Sequence, residues 1–308
     1  MALIILTKSP IFNWKEFFSK YKVFIKFVLG RKRGPDVVDD SLLKGLKELN
    51  FSYKHNVKDT EIRSDDTIYI NRNIEALRWA IEAKKNGKVK KLVAGPNFVV
   101  LPHEHGGVVC DPFVDKIIVP ASWVKDLWLS IKPELKDRLV IWPAGVDLYP
   151  VRDQIKDIVL VYQKNADPVL LQNVVGLLRE KNILYEIVTY GSYEHEKYVS
   201  LLDRSKAVIF LSQSESQGIA MCEAWMKNVA TLVWNRGFWE YGTHVWKDEK
   251  ISAPYLTEQC GRFFKDFEDL KNIVDDFLTN VGVFSPRKYA ESHFSNKVTA
   301  EKFLEIIK

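Results

Sequence analysis

Two glutamates, Glu215 and Glu223, stand eight positions apart in the stretch ESQGIAMCE, and the residues around them decide what chemistry the pair can do. Ala207–Leu211 before them is an unbroken apolar run of strand length, and Ser212–Gln217 is a polar loop. A helix is predicted from Gly218 to Lys227, and Ala230–Trp234 reads as another strand. Open α/β sheets bind ligands at the carboxyl ends of their strands, where such loops lie. The first amides of the helix, at Gly218, Ile219 and Ala220, have no partner within it. With the positive end of the helix dipole they form a cradle suited to phosphate.

Counted from Gln217, Glu223 lies about 9 Å along the axis at ~1.5 Å per residue, its side chain tilted back toward the helix start. Glu215 can then face the reacting end of a diphosphate ligand, while Glu223 accepts hydrogen bonds from a ribose 2′,3′-diol. The plainer alternative makes both carboxylates solvated partners of the helix dipole. The buried strand and the small residues at the helix start favour the ligand site.

The surrounding pattern is one that positions such a loop. In the first half, Ala2–Leu6, Phe51–Tyr53, Thr67–Ile70, Lys91–Ala94, Lys116–Val119 and Arg138–Trp142 read as strands. Asp40–Leu49, Ile74–Lys85 and Ser122–Ile131 carry helix spacing. The series restarts with strands at Asp157–Tyr162, Leu184–Tyr190, Ala207–Leu211 and Ala230–Trp234. Helices are expected between them at Pro168–Lys181, Tyr193–Leu202 and Gly218–Lys227. Strands alternating with helices imply βαβ units and mostly parallel sheets. The turn-rich stretch WPAGVDLYPVRD near Pro143–Asp153 divides them, so the expected fold is α/β with two Rossmann-like domains and a cleft between them. The expected boundaries are 1–150 and 151–285. Helices over 286–308 have no strand of their own and are expected to dock near the first domain.

Composition narrows the class. The 308 residues are 46% hydrophobic and 28% charged, which excludes a disordered, collagenous or coiled-coil chain. No apolar run is long enough to span a bilayer, and the N-terminus lacks the order of a signal peptide. The three cysteines form no CxxC pair, which fits reduced thiols and a cytoplasmic location. Charge is uneven: residues 1–150 carry a balance of +7 and residues 151–308 one of −2. Residues 8–33 hold most of the excess, interleaved with Phe, Trp and Tyr. That segment suits the anionic inner face of a membrane as a peripheral contact, or a core helix with a solvated lysine face. No zinc-finger or RNA-recognition signature accompanies it, so nucleic acid is not an expected partner.

At this point the stretch ESQGIAMCEAWMKNVATLVW resembles the E-x7-E region of retaining nucleotide-sugar glycosyltransferases of the family 4 type, which have the B-type two-domain fold. Other segments agree in order. Val119-Pro-Ala-Ser-Trp-Val-Lys-Asp-Leu127 resembles the segment before the interdomain junction, and Trp142-Pro-Ala-Gly-Val-Asp147 the junction itself. Tyr190-Gly191 stands where the family has a glycine after the second donor-domain strand. Pro286-Arg-Lys-Tyr289 and Phe294-Ser295 lie in the closing helices. The resemblance covers about residues 115–308.

It implies an acceptor-side first domain and a nucleotide-sugar-binding second domain. It further implies transfer of a sugar from a nucleoside diphosphate to a glycan, lipid or protein acceptor, with retention and with no cofactor or metal. Glu215 would lie near the transferred sugar and Glu223 on the ribose. Ser216, Gln217, Gly218 and Ile219 would form the diphosphate turn, with Gly191 beside the donor. One departure stands out. The family carries Arg and Lys about five residues apart after the first donor-domain strand; here Lys164 is the only cation and the second position is Val169. A noncatalytic sugar-nucleotide-binding protein of the same fold is the alternative. A glycoside hydrolase would also need two carboxylates, flanking a sugar rather than a phosphate-binding helix start.

The first half offers weaker signals. Arg33-Gly34 precedes a helical stretch and can bring a cation and a flexible turn to the diphosphate, or be a plain surface loop. Pro102-His103-Glu104-His105-Gly106 follows a strand-like run; His105 is the candidate for contact with the reacting sugar. A metal reading of HEH lacks a third ligand at recognisable spacing. If exposed, Trp239 and Tyr241 can stack on a sugar or base; the alternative is loop aromatics that pack on their own domain.

Overall fold

The computed structural model describes residues 2–11, 34–150 and 154–308. Most of the basic aromatic segment, including Arg33, lies outside the described residues. The chain divides into two compact units: Met1–Gly145 together with Asn296–Lys308, and Val146–Ser295.

The first unit is built on a six-stranded parallel sheet of order β2-β1-β3-β4-β5-β6. Its strands are β1 (Leu3–Leu6), β2 (Tyr53–His55), β3 (Thr67–Ile70), β4 (Lys91–Ala94), β5 (Lys116–Val119) and β6 (Leu139–Ile141). Helices α1 (Gly34–Glu48), α2 (Ile74–Lys85) and α3 (Ser122–Ile131) connect them. All four residues of β1 and of β3 are buried, as strands covered on both faces must be. Helix α2 starts where the Asn73 side chain accepts from the Ala76 amide at 2.8 Å, and it buries Leu77, Ala80 and Ile81 on one stripe. Helix α1 is already formed at Gly34, the first described residue of this stretch and six residues before the apolar spacing shows it.

The last helix belongs to this unit. A Cβ on Gly45 of α1 would stand 2.0 Å from the carbonyl oxygen of Asn296, so only glycine allows that approach. The Trp142 indole donates to the Thr299 carbonyl at 2.8 Å, and Phe303 packs edge-on against Trp142 and Tyr69.

The second unit has a five-stranded parallel sheet of order β13-β10-β9-β7-β8. Its strands are β7 (Ile158–Lys164), β8 (Tyr185–Thr189), β9 (Ser205–Ser212), β10 (Ala230–Trp234) and β13 (Gly261–Phe264). Helices α4 (Pro168–Glu180), α5 (His195–Arg204), α6 (Ile219–Met226), α7 (Phe267–Thr279) and α8 (Pro286–Phe294) cover it. Alternation along β7 sends Val159 and Val161 to one apolar cluster and Leu160 and Tyr162 to the other. An antiparallel hairpin, β11 (Phe238–Tyr241) and β12 (His244–Lys247), leaves the end of β10.

The 286–308 segment is divided between the units. Helix α8 stays with the second, where Tyr289 and Phe294 pack on Trp225 and the Val146 amide donates to the Phe294 carbonyl at 2.8 Å. Only α9 (Asn296–Ile307) packs on α1 of the first.

Candidate functional site

Strand β7 sits between β8 and β9, so the chain winds one way from β7 to β8 and the other way through β9, β10 and β13. Such a reversal opens a crevice at the carboxyl ends of the two central strands. Here those ends are Lys164 and Ser212, which face each other in register.

Glu215 joins them. Lys164 Nζ lies 3.0 Å from Oε1 and 2.9 Å from Oε2 of the Glu215 carboxylate, and the Ser212 hydroxyl donates to Oε1 at 3.1 Å. The Lys164 and Glu215 side chains are 22% and 12% exposed, so the pair is only partly screened by water. Lys164 also lies 4.8 Å from the centre of the Tyr190 ring. The loop is tied down from behind: the Glu215 amide donates to the Ile251 carbonyl at 2.9 Å, and the Ser252 hydroxyl to the Gln213 carbonyl at 3.3 Å.

Three residues on, Gly218 caps α6 with φ 69°, a left-handed conformation that glycine adopts without cost. The first bonds of the helix run from the Met221 and Cys222 amides to the Gly218 carbonyl, both at 3.0 Å. The Ile219 and Ala220 amides precede them and are the ones a ligand can take. Beside them Gln217 Nε2 is buried and has no hydrogen-bond partner among the described residues, while Ser216 is exposed. Gly191, at φ 80°, is exposed in the turn after β8, whose end is held to β7 by the Tyr190 amide on the Gln163 carbonyl at 2.9 Å.

Helix α6 is buried nearly all round, so Glu223 is a carboxylate in an apolar element and must be partnered. His195 Nε2 lies 2.6 Å from Oε1, and the Tyr149 hydroxyl donates to the same oxygen at 3.2 Å. Tyr193 is within electrostatic reach of both glutamates: burial first, and then the charges of Glu223, Tyr190 and Glu215, push its hydroxyl up to about 12. It therefore stays protonated and shares a hydrogen bond with Tyr162 at 3.3 Å. Beside this group lies a cavity of about 330 Å³ lined by Asp147, Tyr149, His195, Asp203 and Lys227 among others.

The second unit thus brings together Lys164, Glu215 and the Gly218 turn, with Glu223 further along α6. His105 and Gly34 lie in the first unit. His105 is exposed, with φ 52°, and its carbonyl accepts from Arg78 at 3.2 Å. Among the described residues nothing lies within 4 Å of where a Cβ on Gly34 would stand. Among the described residues, no group of three or more His, Cys, Asp or Glu is arranged to hold a metal ion. Among the same residues no helix is long and apolar enough to cross a membrane. Of the two loop aromatics, Trp239 packs into its own domain, at 8% exposed, and stacks on Tyr241 at 5.9 Å; Tyr241 is the exposed member of the pair.

No protein-family model and no curated protein matches the sequence. Solved structures do. A glycine-to-arginine mutant of TarM from S. aureus, in a complex with fondaparinux, alpha-GlcNAc-glycerol and UDP, is similar at a TM-score of 0.55 and 12% identity. That match covers 87% of this chain and 58% of TarM, so the chain spans little more than half of TarM. The lipopolysaccharide outer core galactosyltransferase WaaB gives 0.53 at 12% identity, over 100% of this chain and 99% of that one. Sucrose-phosphate synthase from Thermosynechococcus elongatus gives 0.54 at 12% identity, over 99% and 98%. This is the B-type glycosyltransferase fold. The B-type fold accounts for the two parallel sheets, expected from the alternation of elements, and for the return of the last helix to the first unit, expected because that helix has no strand of its own.

Proposed function

We propose that this protein transfers a sugar from a nucleoside diphosphate sugar to an acceptor. The observation that carries the reading is the Lys164–Glu215 pair at the reversal point of the second sheet, beside the left-handed Gly218 turn that opens α6. In this reading the diphosphate settles against the Ile219 and Ala220 amides, with Gln217 Nε2 as a third donor and Lys164 supplying the positive charge. Fixed dipoles and one cation aimed at the departing phosphate stabilise the charge that builds as the glycosidic bond breaks. Glu215 faces the sugar ring as positive charge develops there, and the leaving phosphate oxygen takes the acceptor proton on the same face, giving retention. Amides and lysine hold the phosphates without a metal. Glu223 takes the ribose diol.

The acceptor is proposed to be a glycan, following the sugar ligands and substrate of TarM and WaaB. UDP is the first nucleotide to test, since the TarM complex contains it. Thermal shift with UDP, GDP and ADP identifies the base, because a ligand that binds only the folded state raises its stability with affinity. Acceptor-dependent release of the nucleoside diphosphate, unchanged by EDTA, then supports metal-free transfer. Binding without any release from a panel of donor sugars sinks the enzyme reading.

A second reading has an observation of its own. The position of the second phosphate-binding cation is Val169, an apolar residue that is 57% exposed, and Lys164 is already neutralised by Glu215. A noncatalytic sugar-nucleotide-binding protein needs no further charge to offset a leaving group.

A further inference from the structure

Glu223 is the one charged residue of α6, and its side chain is 7% exposed. Its two oxygens are treated differently. Among the described residues the bonds to this carboxylate go to Oε1, from His195 at 2.6 Å and from Tyr149 at 3.2 Å. The two donors come from separate places. His195 is the first residue of α5, while Tyr149 lies in the stretch that leads into the second unit.

Tyr149 is itself clamped. Its carbonyl accepts from Arg287 Nη1 at 2.8 Å, its ring lies 5.4 Å from Lys227 Nζ, and Lys227 also donates to the Pro150 carbonyl at 3.2 Å. Burial and the neighbouring Glu223 charge push the Tyr149 hydroxyl well above its ordinary range, so it remains a donor at any working pH. A carboxylate gripped by one oxygen from two directions cannot turn about its terminal bond. The lone pairs of the other oxygen are then held in place for a ligand.

We propose that Tyr149 and His195 are positioning residues that lock Glu223 through Oε1 so that Oε2 accepts from the 2′- and 3′-hydroxyls of a ribose. The inference rests on the donor reading above and extends it to selection of ribose over 2′-deoxyribose. A purely structural role differs in consequence. Any buried carboxylate needs partners, but their loss would then weaken the fold, and every nucleotide would lose affinity alike. Loss of positioning instead falls on the hydroxyl that Oε2 receives.

Calorimetric titration tests this with UDP, GDP and ADP, each beside its 2′-deoxy counterpart, on the full chain and on Tyr149→Phe, His195→Ala and His195→Gln. The native protein is expected to prefer the ribonucleotide by about tenfold, the worth of one good hydrogen bond to a charged acceptor. Tyr149→Phe and His195→Ala should bring that ratio below about threefold by weakening the ribonucleotide. The 2′-deoxynucleotide, which keeps only the 3′-hydroxyl bond, should lose affinity by a smaller factor. His195→Gln, whose amide still donates, should recover part of the ratio. Melting curves taken alongside show that each variant is folded, and Tyr149→Phe, which loses one oxygen, carries the test if a histidine variant does not fold. A ratio unchanged in the folded variants, or an equal loss for both nucleotides, overturns the positioning role and leaves the donor reading standing. A native protein that binds no nucleoside diphosphate overturns both.

Discussion

Lys164 and Glu215 neutralise each other across the reversal point of the second sheet, with the ammonium 2.9 and 3.0 Å from the two carboxylate oxygens. A diphosphate arriving at Gly218 must therefore compete with Glu215 for Lys164. The two halves of the pair should respond in opposite senses. Lys164→Met is expected to weaken UDP or GDP binding by about 10- to 100-fold, the loss of a charge-assisted bond worth about 1.5–3 kcal/mol. Glu215→Gln frees the lysine, so nucleoside diphosphate affinity should hold or rise while transfer falls about 10²–10³-fold. Equal losses of affinity in both variants would show that the pair is structural.

Gly218 and Gly45 are both glycines the fold requires, for different reasons. A Cβ on Gly218 would meet nothing closer than Met221 Cβ at 3.7 Å, so the obstacle is the left-handed φ of 69°. Gly218→Ala should cost about 1–2 kcal/mol and shift the Ile219 and Ala220 amides, reducing diphosphate affinity as well. A Cβ on Gly45 would collide with the Asn296 backbone at 2.0 Å. Gly45→Ala should therefore loosen the last helix from the first unit with no change in nucleotide affinity. Urea unfolding followed with and without UDP separates the two effects.

How much of this was legible depended on whether the signal was local in the chain. Thr67–Ile70, Lys91–Ala94, Lys116–Val119 and Ala230–Trp234 are apolar runs between turns, and the structure places strands on those same residues. Strand β13 was not legible. Gly261-Arg-Phe-Phe264 has no β-branched run, and it is a strand because β10 is there to pair with and Gly261 fits against the Thr231 carbonyl, where a Cβ would lie 1.9 Å away. The β11–β12 hairpin was hidden too, since Gly237 and Gly242 mark its turns but nothing marks the Trp239–Trp246 pairing across it. The site divides the same way. Glu215, Gly218 and Glu223 fall within nine residues, whereas Tyr149 reaches Glu223 from 74 positions away and His195 from 28. Only the packing of α5 and of the junction against α6 brings those donors in.

The Asp203–Lys227 pair is the most buried charge pair of the second unit among the described residues, at 2.6 Å with side chains 6% and 3% exposed. Desolvating both ions costs about as much as their attraction returns, so the pair adds little net stability, yet either charge alone is strongly unfavourable. Asp203→Ala should cost about 3–5 kcal/mol. Replacing both, as Asp203→Leu with Lys227→Met, should come within about 1–2 kcal/mol of the native protein. Chemical denaturation of the three proteins decides it, and a single variant costing under about 1 kcal/mol would refute the account.

Asp39 in the first unit makes the sharpest pH prediction. Burial raises its carboxyl from 3.8 to about 6, against the lowering effects of the Asn71 hydrogen bond at 2.8 Å and the Arg72 guanidinium. The folded state thus holds the Asp39 proton more tightly than the unfolded chain does. Between pH 4 and 6 the folded protein binds more protons, so stability from this group falls as pH rises through that window. Above it the charge is carried in both states, at a cost to the fold of about 3 kcal/mol at most. Asp39→Asn keeps an oxygen for Asn71 to donate to, and Arg72 retains Asp36 at 2.6 Å. The variant should melt near the native protein at about pH 4 and above it at pH 7.5, because only the native protein loses stability across the window. Melting curves that run parallel from pH 4 to 7.5 would mean that Asp39 titrates as it does in the unfolded chain.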